Sequence, residues 1–210
     1  FVHLIVVNSI VIVPSSSTTY NVTVAKDGSG HFRTISEAVL GAPTNGNNAY
    51  FINIKPGVYE EYVSIPEEKP FLALIGSGAD KTKITGNRSD RNGFGIKESA
   101  TLECPILMLC FADVMGEHFI LQDITVENST GPGTQAVALF CRADKAIFYK
   151  CKITGYQDTL FADKTRQFYR ECDIYGTVDF IFGDARAIFQ NCNLFARDTG
   201  AVFTAHSRDM

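Results

Sequence analysis

Two acidic residues in equivalent positions of a repeat could do chemistry in this 210-residue chain. Asp158 and Asp179 are 21 residues apart, in the segments Gly155–Leu160 and Gly176–Gly183. If successive coils of the repeat stack in register, the two residues lie roughly 5 Å apart at the backbone. Like charges this close push their pKa values apart, so that one carboxyl keeps a proton while the other is ionised. The pair could therefore supply a general acid beside a nucleophile or base.

The segments that must position this pair belong to a sequence pattern that occurs three times, in Ile147–Ile153, Phe168–Ile174 and Ile188–Leu194. A Cys-x-(Ile/Leu) core recurs in it after 21 residues and again after 20. Each copy alternates apolar and polar residues, which is the periodicity of a β-strand. A fixed period of this length predicts a solenoid, whose units bury their apolar faces by stacking on their neighbours.

The rest of the chain agrees with an all-β fold. The capping box Thr34–Glu37 opens a short helix through about Leu40, which could cover the first coil. Several short strands with Gly and Pro turns follow. The apolar run Pro105–Ala112 does not alternate, and it is either a buried strand or an insertion loop. We interpret residues 1–19 as a signal-peptide remnant or a disordered segment, with a first strand as the alternative, and residues 20–210 as the folded domain.

Composition limits the function classes. Apolar residues make up 45% and charged residues 20%, and the net charge of −4 gives no electrostatic reason to bind nucleic acid. The apolar run of residues 1–13 is too short to span a bilayer. Three N-glycosylation sequons, at Asn21, Asn87 and Asn128, favour a secreted glycoprotein.

The cysteines of the repeat, Cys151, Cys172 and Cys192, are expected to point inward. A disulfide between adjacent coils is geometrically possible, because the strand spacing falls within the Cα separation that a disulfide tolerates. Buried free thiols are the alternative.

Five ordered motifs carry a resemblance to a known family. They are Val24–Gly30, Gly57–Glu61, Gln135–Leu139, Gly155–Leu160 and Asp179–Gly183. Over roughly residues 22 to 206 the chain resembles the plant-type pectin methylesterases. The resemblance implies a single-stranded right-handed parallel β-helix that removes methyl esters from cell-wall homogalacturonan. It further implies a secreted, cell-wall monomer without metal or organic cofactor, with the polysaccharide as substrate and a proteinaceous inhibitor as a further partner.

The same resemblance assigns roles to individual residues. Asp179 stands where the family has its nucleophile, and Asp158 where it has its general acid/base. Gln157 and Gln135 match the amides that stabilise the oxyanion, with Gln135 also placed against the substrate.

Aromatic side chains beside the acids, Tyr156, Phe161, Phe180 and Phe182, are expected to stack on sugar rings, with an aromatic core ladder as the alternative for Phe180. For the acids, the alternative is a turn residue that caps its own backbone. The two glutamines could instead hydrogen-bond along a β-helix ladder.

The chain also departs from the family pattern. Relatives carry a downstream Leu-Gly-Arg-Pro-Trp motif that does not occur before Met210, so the β-helix domain is expected to be incomplete at its C-terminal end. Ile124 occupies a slot where relatives often carry a Cys partner for Cys151, which argues against a disulfide there. Two further functions stay open: a pectinesterase-like β-helix that only binds pectin, and a Ca²⁺-dependent pectate lyase, which would need a cluster of Asp ligands.

Overall fold

The computed structural model describes residues 19–104 and 118–205, and nearly all regular structure in them is β-strand. In chain order the elements are β1 (Val22–Val24), α1 (Ile35–Leu40), β2 (Tyr50–Ile54), β3 (Gly57–Glu60), β4 (Val63–Ser64), β5 (Leu72–Ile75), β6 (Thr82–Gly86), a 3₁₀ turn (Asp90–Asn92), β7 (Leu102–Cys104), β8 (Ile120–Gln122), β9 (Thr125–Asn128), β10 (Leu139–Cys141), β11 (Ala146–Tyr149), β12 (Lys152–Thr154), β13 (Leu160–Ala162), β14 (Arg166–Arg170), β15 (Asp173–Gly176), β16 (Ile181–Phe182), β17 (Arg186–Gln190), β18 (Asn193–Ala196) and β19 (Thr204–Ala205).

These strands form three parallel sheets that wind around one core. Sheet A has the order β1-β2-β5-β8-β11-β14-β17, sheet B the order β3-β6-β9-β12-β15-β18 and sheet C the order β4-β7-β10-β13-β16-β19. Strands of one sheet come from successive coils, so the chain visits A, B and C in turn before it rises to the next level. This is a parallel β-helix, and it confirms both the solenoid predicted from the repeat and the β-helix that the resemblance implies.

The corner between sheets A and B explains why the repeat has a fixed sequence pattern. One residue there adopts the left-handed conformation in each of four coils. Those residues and their φ angles are Asp123 (56°), Lys150 (51°), Glu171 (53°) and Asn191 (52°). In the last three of these coils the next residue is the cysteine of the repeat, which turns inward. In three of the four coils a polar residue with positive φ followed by a cysteine therefore makes this corner.

The interior is packed in columns of like residues. Phe148, Tyr169 and Phe189 stack ring on ring on sheet A, with centroids 4.6 and 4.7 Å apart. Ile153 and Ile174 are register partners on sheet B and are fully buried. Because side chains alternate between the two faces of a strand, this inward set fixes which residues point outward.

The short helix caps the first coil, as its sequence predicts. Thr34 and Glu37 form the expected reciprocal capping box, and Ile35, Ala38 and Val39 are buried in the core. The alternating residues Tyr59–Ile65 do not form one strand, because the chain turns from sheet B to sheet C between β3 and β4. Glu61 lies at that turn, and its carboxylate accepts hydrogen bonds from the backbone N–H groups of Ile35 and Ser36.

The cysteines of the described residues are free thiols; they are Cys104, Cys141, Cys151, Cys172 and Cys192. A hydrogen bond to the preceding thiol of the inward column, Cys151 for Cys172 and Cys172 for Cys192, is the first cause of a raised pKa at Cys172 and Cys192. Both thiols therefore stay protonated in the core.

Two sequence interpretations, the N-terminal segment over residues 1–18 and the apolar run 105–112, lie outside the described residues. No helix in residues 19–104 and 118–205 is long and apolar enough to cross a membrane.

Candidate active site

The two acids occupy equivalent positions on successive coils, as their spacing predicts. Each lies two residues before a strand of sheet C, and those strands, β13 and β16, pair with Leu160 opposite Ile181. The backbone N–H of Asp158 donates to the carbonyl of Val178 at 3.1 Å. The register is therefore kept across both acids, and their backbones are separated by about the 4.8 Å of neighbouring strands.

Both acids adopt the left-handed conformation, with φ of 62° at Asp158 and 49° at Asp179. A non-glycine residue with positive φ is uncommon, and aspartate is one of the few that accept it. The left-handed conformation thus recurs at the equivalent position of both coils. Leu160 and Ile181, two residues after the acids, lie in the hydrophobic core.

The two carboxyl groups have different surroundings. Asp158 is 4% exposed, whereas Asp179 is half-buried. The pKa of Asp158 is raised to about 6, first by burial and then by the negative charge of Asp179, and a hydrogen bond from the Gln135 side chain offsets part of this rise. One Asp158 oxygen, Oδ2, is buried without a hydrogen-bond partner among the described residues. An acid that holds its proton near neutral pH beside a more solvated carboxylate can divide the roles of proton donor and nucleophile.

The two glutamines flank the acid pair through a local shift in register. Gln135 and Gln157 form an isolated parallel bridge, 22 residues apart, while Leu139 pairs with Leu160, 21 residues on. The extra residue is absorbed between them, where the N–H groups of Ala138 and Leu139 both donate to the Thr159 carbonyl, at 2.9 and 3.2 Å. Such a bulge re-aims nearby side chains. Here the bulge follows Gln135, whose side-chain amide hydrogen-bonds to Asp158 on the neighbouring coil.

An aromatic column runs along the outer face of sheet C beside the acids. The rings of Phe161 and Phe182 stack with centroids 4.3 Å apart, and Phe140 lies 4.9 Å from Phe161 on the other side. Phe161 and Phe182 each lie three residues after an acid, so the column and the acid pair rise along the tube together. Phe140 extends this surface but is itself buried, because Ile96 and Ala100 pack with it. The sequence interpretation missed Phe140, although Leu139–Cys141 aligns with Leu160–Ala162.

Tyr156 lies on the turn that leads to Asp158 and is half-buried. The guanidinium of Arg197 lies over its ring at 4.1 Å from the centroid. Sequence reasoning also missed Arg197, which is 41 residues from Tyr156 in the chain. Within residues 19–104 and 118–205, no three His, Cys, Asp or Glu side chains converge so that they could hold a metal ion.

Comparison with known sequences identifies the family. A sequence profile described as pectinesterase matches residues 21–209. The chain belongs to the pectinesterase family.

Among curated pectinesterases, the putative pectinesterase/pectinesterase inhibitor 38 of Arabidopsis thaliana is 48% identical over 181 residues, covering 85% of this chain and 36% of that protein. Pectinesterase 2 of Citrus sinensis is 47% identical over 178 residues, covering 84% and 32%. The chain thus spans about a third of the length of these two relatives.

Solved pectin methylesterases share the fold. The carrot enzyme matches with a TM-score of 0.84 at 40% identity, over 92% of this chain and 59% of that one. PemA of Erwinia chrysanthemi matches with a TM-score of 0.76 at 32% identity, over 91% and 62%. These pectinesterase structures and the three-sheet topology agree on a parallel β-helix.

Proposed function

We propose that this protein hydrolyses the methyl esters of homogalacturonan, leaving free carboxylates and methanol. The observation that carries the proposal is the pair of acids in register, one with a raised pKa and one more solvated. Membership of the pectinesterase family and the likeness to solved pectin methylesterases support the substrate class. One solved pectin methylesterase, matched at a TM-score of 0.75, is a complex with a hexasaccharide.

In the first half-reaction Asp179, as the carboxylate, attacks the carbonyl carbon of the substrate's methyl ester. The electron pair of the C=O bond moves to oxygen, and amide N–H groups of Gln157 and Gln135 stabilise that charge, a contribution of about 3 kcal/mol per donor. When the tetrahedral intermediate collapses, the bond to the methoxy oxygen breaks. Asp158 gives its proton to that oxygen, so methanol leaves and an anhydride joins the galacturonate to Asp179.

The second half-reaction restores both acids. Asp158, now ionised, accepts a proton from a water molecule as that water attacks the galacturonate carbonyl of the anhydride. The bond to Asp179 breaks, the galacturonate leaves as a free acid, and Asp179 returns to the carboxylate form. The first step needs Asp158 protonated, and a pKa of about 6 keeps a useful fraction protonated in mildly acidic to neutral solution.

The aromatic column gives the polysaccharide a surface. Phe161 and Phe182 are half-buried on the outer face of sheet C, and Tyr156 precedes the acid turn. We assign the three rings to stacking on sugar units on either side of the reacting ester. The polymer then lies along the tube, across successive coils.

The same proposal includes where the protein acts and which partner it has. The protein acts as a secreted monomer in the cell wall, where the substrate is found, and a proteinaceous inhibitor is a candidate partner. The names of Arabidopsis thaliana relatives join "pectinesterase" with "pectinesterase inhibitor".

The test is methanol release from highly methylated pectin by the wild-type chain and by Asp179→Asn. We expect the variant to lose at least about 10³-fold in kcat, as the loss of a catalytic nucleophile does elsewhere. Asp173→Asn, on the same coil but on sheet B, is the matched control and should keep wild-type activity. Absence of methanol release from the wild type, or full activity in Asp179→Asn, would contradict the proposal, and Ca²⁺-dependent chain cleavage would favour a lyase.

A further inference from the structure

Arg197 connects three successive coils at the turns that carry the acids. It follows β18, and its backbone N–H donates to the carbonyl of Gly176, one coil back, at 2.8 Å. Its guanidinium Nη1 donates to the carbonyl of Gly155, two coils back, at 2.8 Å. The same guanidinium covers the ring of Tyr156. One exposed residue thus contacts the start of both acid-bearing segments, the first through its side chain and the second through its backbone N–H.

The held segments are short and tightly packed. The Tyr156 carbonyl accepts hydrogen bonds from the Thr177 N–H at 2.9 Å and from the Thr159 hydroxyl at 3.0 Å. A Cβ at Gly176 would lie 2.1 Å from Cβ of Phe180, so the second segment has no spare room. The Gly155 carbonyl and the Tyr156 ring are the groups that Arg197 adds to this network. Asp158 follows only two residues after that ring.

We propose that Arg197 is a positioning residue that fixes the direction of Gln157 and Asp158 relative to Asp179. The proposal deepens, and rests on, the assignment of the two acids to ester hydrolysis. Arg197 acts by geometry rather than by charge. The groups that act on the Asp158 carboxyl are its buried surroundings, the Asp179 carboxylate and the Gln135 amide, and Arg197 is not among them.

The consequence concerns the environment of Asp158. Without the guanidinium, the Gly155 carbonyl loses a charge-assisted hydrogen bond and the Tyr156 ring loses its cover. The turn can then move away from Asp179 and admit water. Both changes lower the pKa of Asp158 toward 3.8, because burial and the nearby charge of Asp179, which raise that pKa, both have less effect. A misplacement of a reacting group by about 1 Å can cost up to about 10²-fold in rate.

The experiment compares Arg197→Met, Arg197→Lys and the control Arg186→Met, an exposed arginine of the same coil on sheet A. Two quantities are measured in each: the pKa of Asp158 by carboxyl ¹³C NMR, assigned with Asp158→Asn, and kcat and KM for methanol release. For Arg197→Met we expect the pKa to fall by about one unit and kcat to fall about tenfold. Arg197→Lys should recover at least half of each effect, since lysine keeps a donor and a cation over Tyr156.

An unchanged Asp158 pKa in a folded Arg197→Met would overturn the proposal, as would an equal effect of Arg186→Met. So would a loss of thermal stability that accounts for the rate change while the pKa stays constant. The titration needs no turnover. If the wild type releases no methanol but the pKa still shifts in Arg197→Met, the proposed reaction fails and the positioning role of Arg197 stands.

Discussion

Replacing Asp158 by asparagine should stabilise the protein at neutral pH while it removes activity. The pKa of Asp158 is raised from 3.8 to about 6, first by burial and then by the charge of Asp179. Between these two values the folded protein binds more protons than the unfolded chain, so its stability falls as pH rises through this window. Above about pH 6 the folded state carries the whole penalty of a buried carboxylate. Asparagine has the same shape without that charge.

The size of the effect follows from the shift. A rise from 3.8 to about 6 corresponds to about 3 kcal/mol at 1.36 kcal/mol per pKa unit. Solvent near the half-buried Asp179 screens part of this, so we expect a gain of about 1–2 kcal/mol for Asp158→Asn at pH 7.5. The new amide group can replace the oxygen that has no hydrogen-bond partner among the described residues, so the substitution breaks no hydrogen bond at that atom. The gain is therefore not reduced by the loss of a bonded acceptor.

The assay is the free energy of unfolding in urea for wild type and Asp158→Asn from pH 4 to pH 8. The difference in the free energy of unfolding between the two proteins should reach its full size above pH 6.5. It should be close to zero at pH 4, where Asp158 of the folded wild type is protonated. Asp144→Asn is a control of opposite sign, because a hydrogen bond from Arg166 lowers the pKa of Asp144 to about 2. That variant should lose about 1 kcal/mol at pH 7, an effect that shrinks below pH 4. A stability difference for Asp158→Asn that is absent at pH 7.5, or independent of pH, would refute the reasoning.

Two further outcomes follow from packing. Secreted, folded molecules should carry glycans at the exposed Asn21 and Asn87 but not at Asn128. The glycan would be attached to Nδ2 of Asn128, and this atom donates hydrogen bonds to three carbonyls at 2.8, 3.2 and 3.0 Å. Glycopeptide mass spectrometry checks this, and a glycan on Asn128 in folded protein would contradict it. Gly176→Ala should destabilise by about 1–3 kcal/mol in urea unfolding, because its Cβ would meet Cβ of Phe180 at 2.1 Å. A stability equal to wild type would show that the second acid-bearing segment has more room than the structure gives it.

The sequence predicted the acid pair because the repeat is nearly constant in length around it. Cys151 to Cys172 and Asp158 to Asp179 share one spacing of 21 residues. Equal spacing in two parts of the same coil implies a register without a slip between them, and the pairing of Leu160 with Ile181 confirms this. The outward position of Phe161 and Phe182 follows from the same alternation.

Other parts of the site depend on exceptions to the period. Gln135 and Gln157 are 22 residues apart, while Leu139 and Leu160 are 21 apart, so a bulge must lie between them. The count was available in the sequence, but nothing in it says which residue is the extra one, because Ala136–Ala138 are all small and apolar. Arg197 could not be found at all. Its contacts with Gly176 and Gly155 span 21 and 42 residues, and an isolated arginine after a strand has no distinctive pattern.

The position of the acids is enforced by the core rather than by their own contacts. Leu160 and Ile181 lie two residues after the acids and are 0% and 3% exposed, while Phe161 and Phe182 point outward. A slip of one residue between these coils would turn one of the two aliphatic side chains out of the core and bring an aromatic ring in. Exposing one such side chain costs about 1.5–3 kcal/mol, and the ring would not fit the space left behind.

That cost is a substantial fraction of the total stability of a typical domain, about 5–15 kcal/mol. The strand that follows each acid therefore keeps Asp158 and Asp179 in register, even though like charges repel and both acids have positive φ. Arg197 and the bulge before Leu139 act on top of this constraint: they adjust the direction of the groups around Asp158, while the coil spacing sets their distance. Variants of the inward residues should consequently lose stability and activity together, whereas Arg197→Met should separate the two.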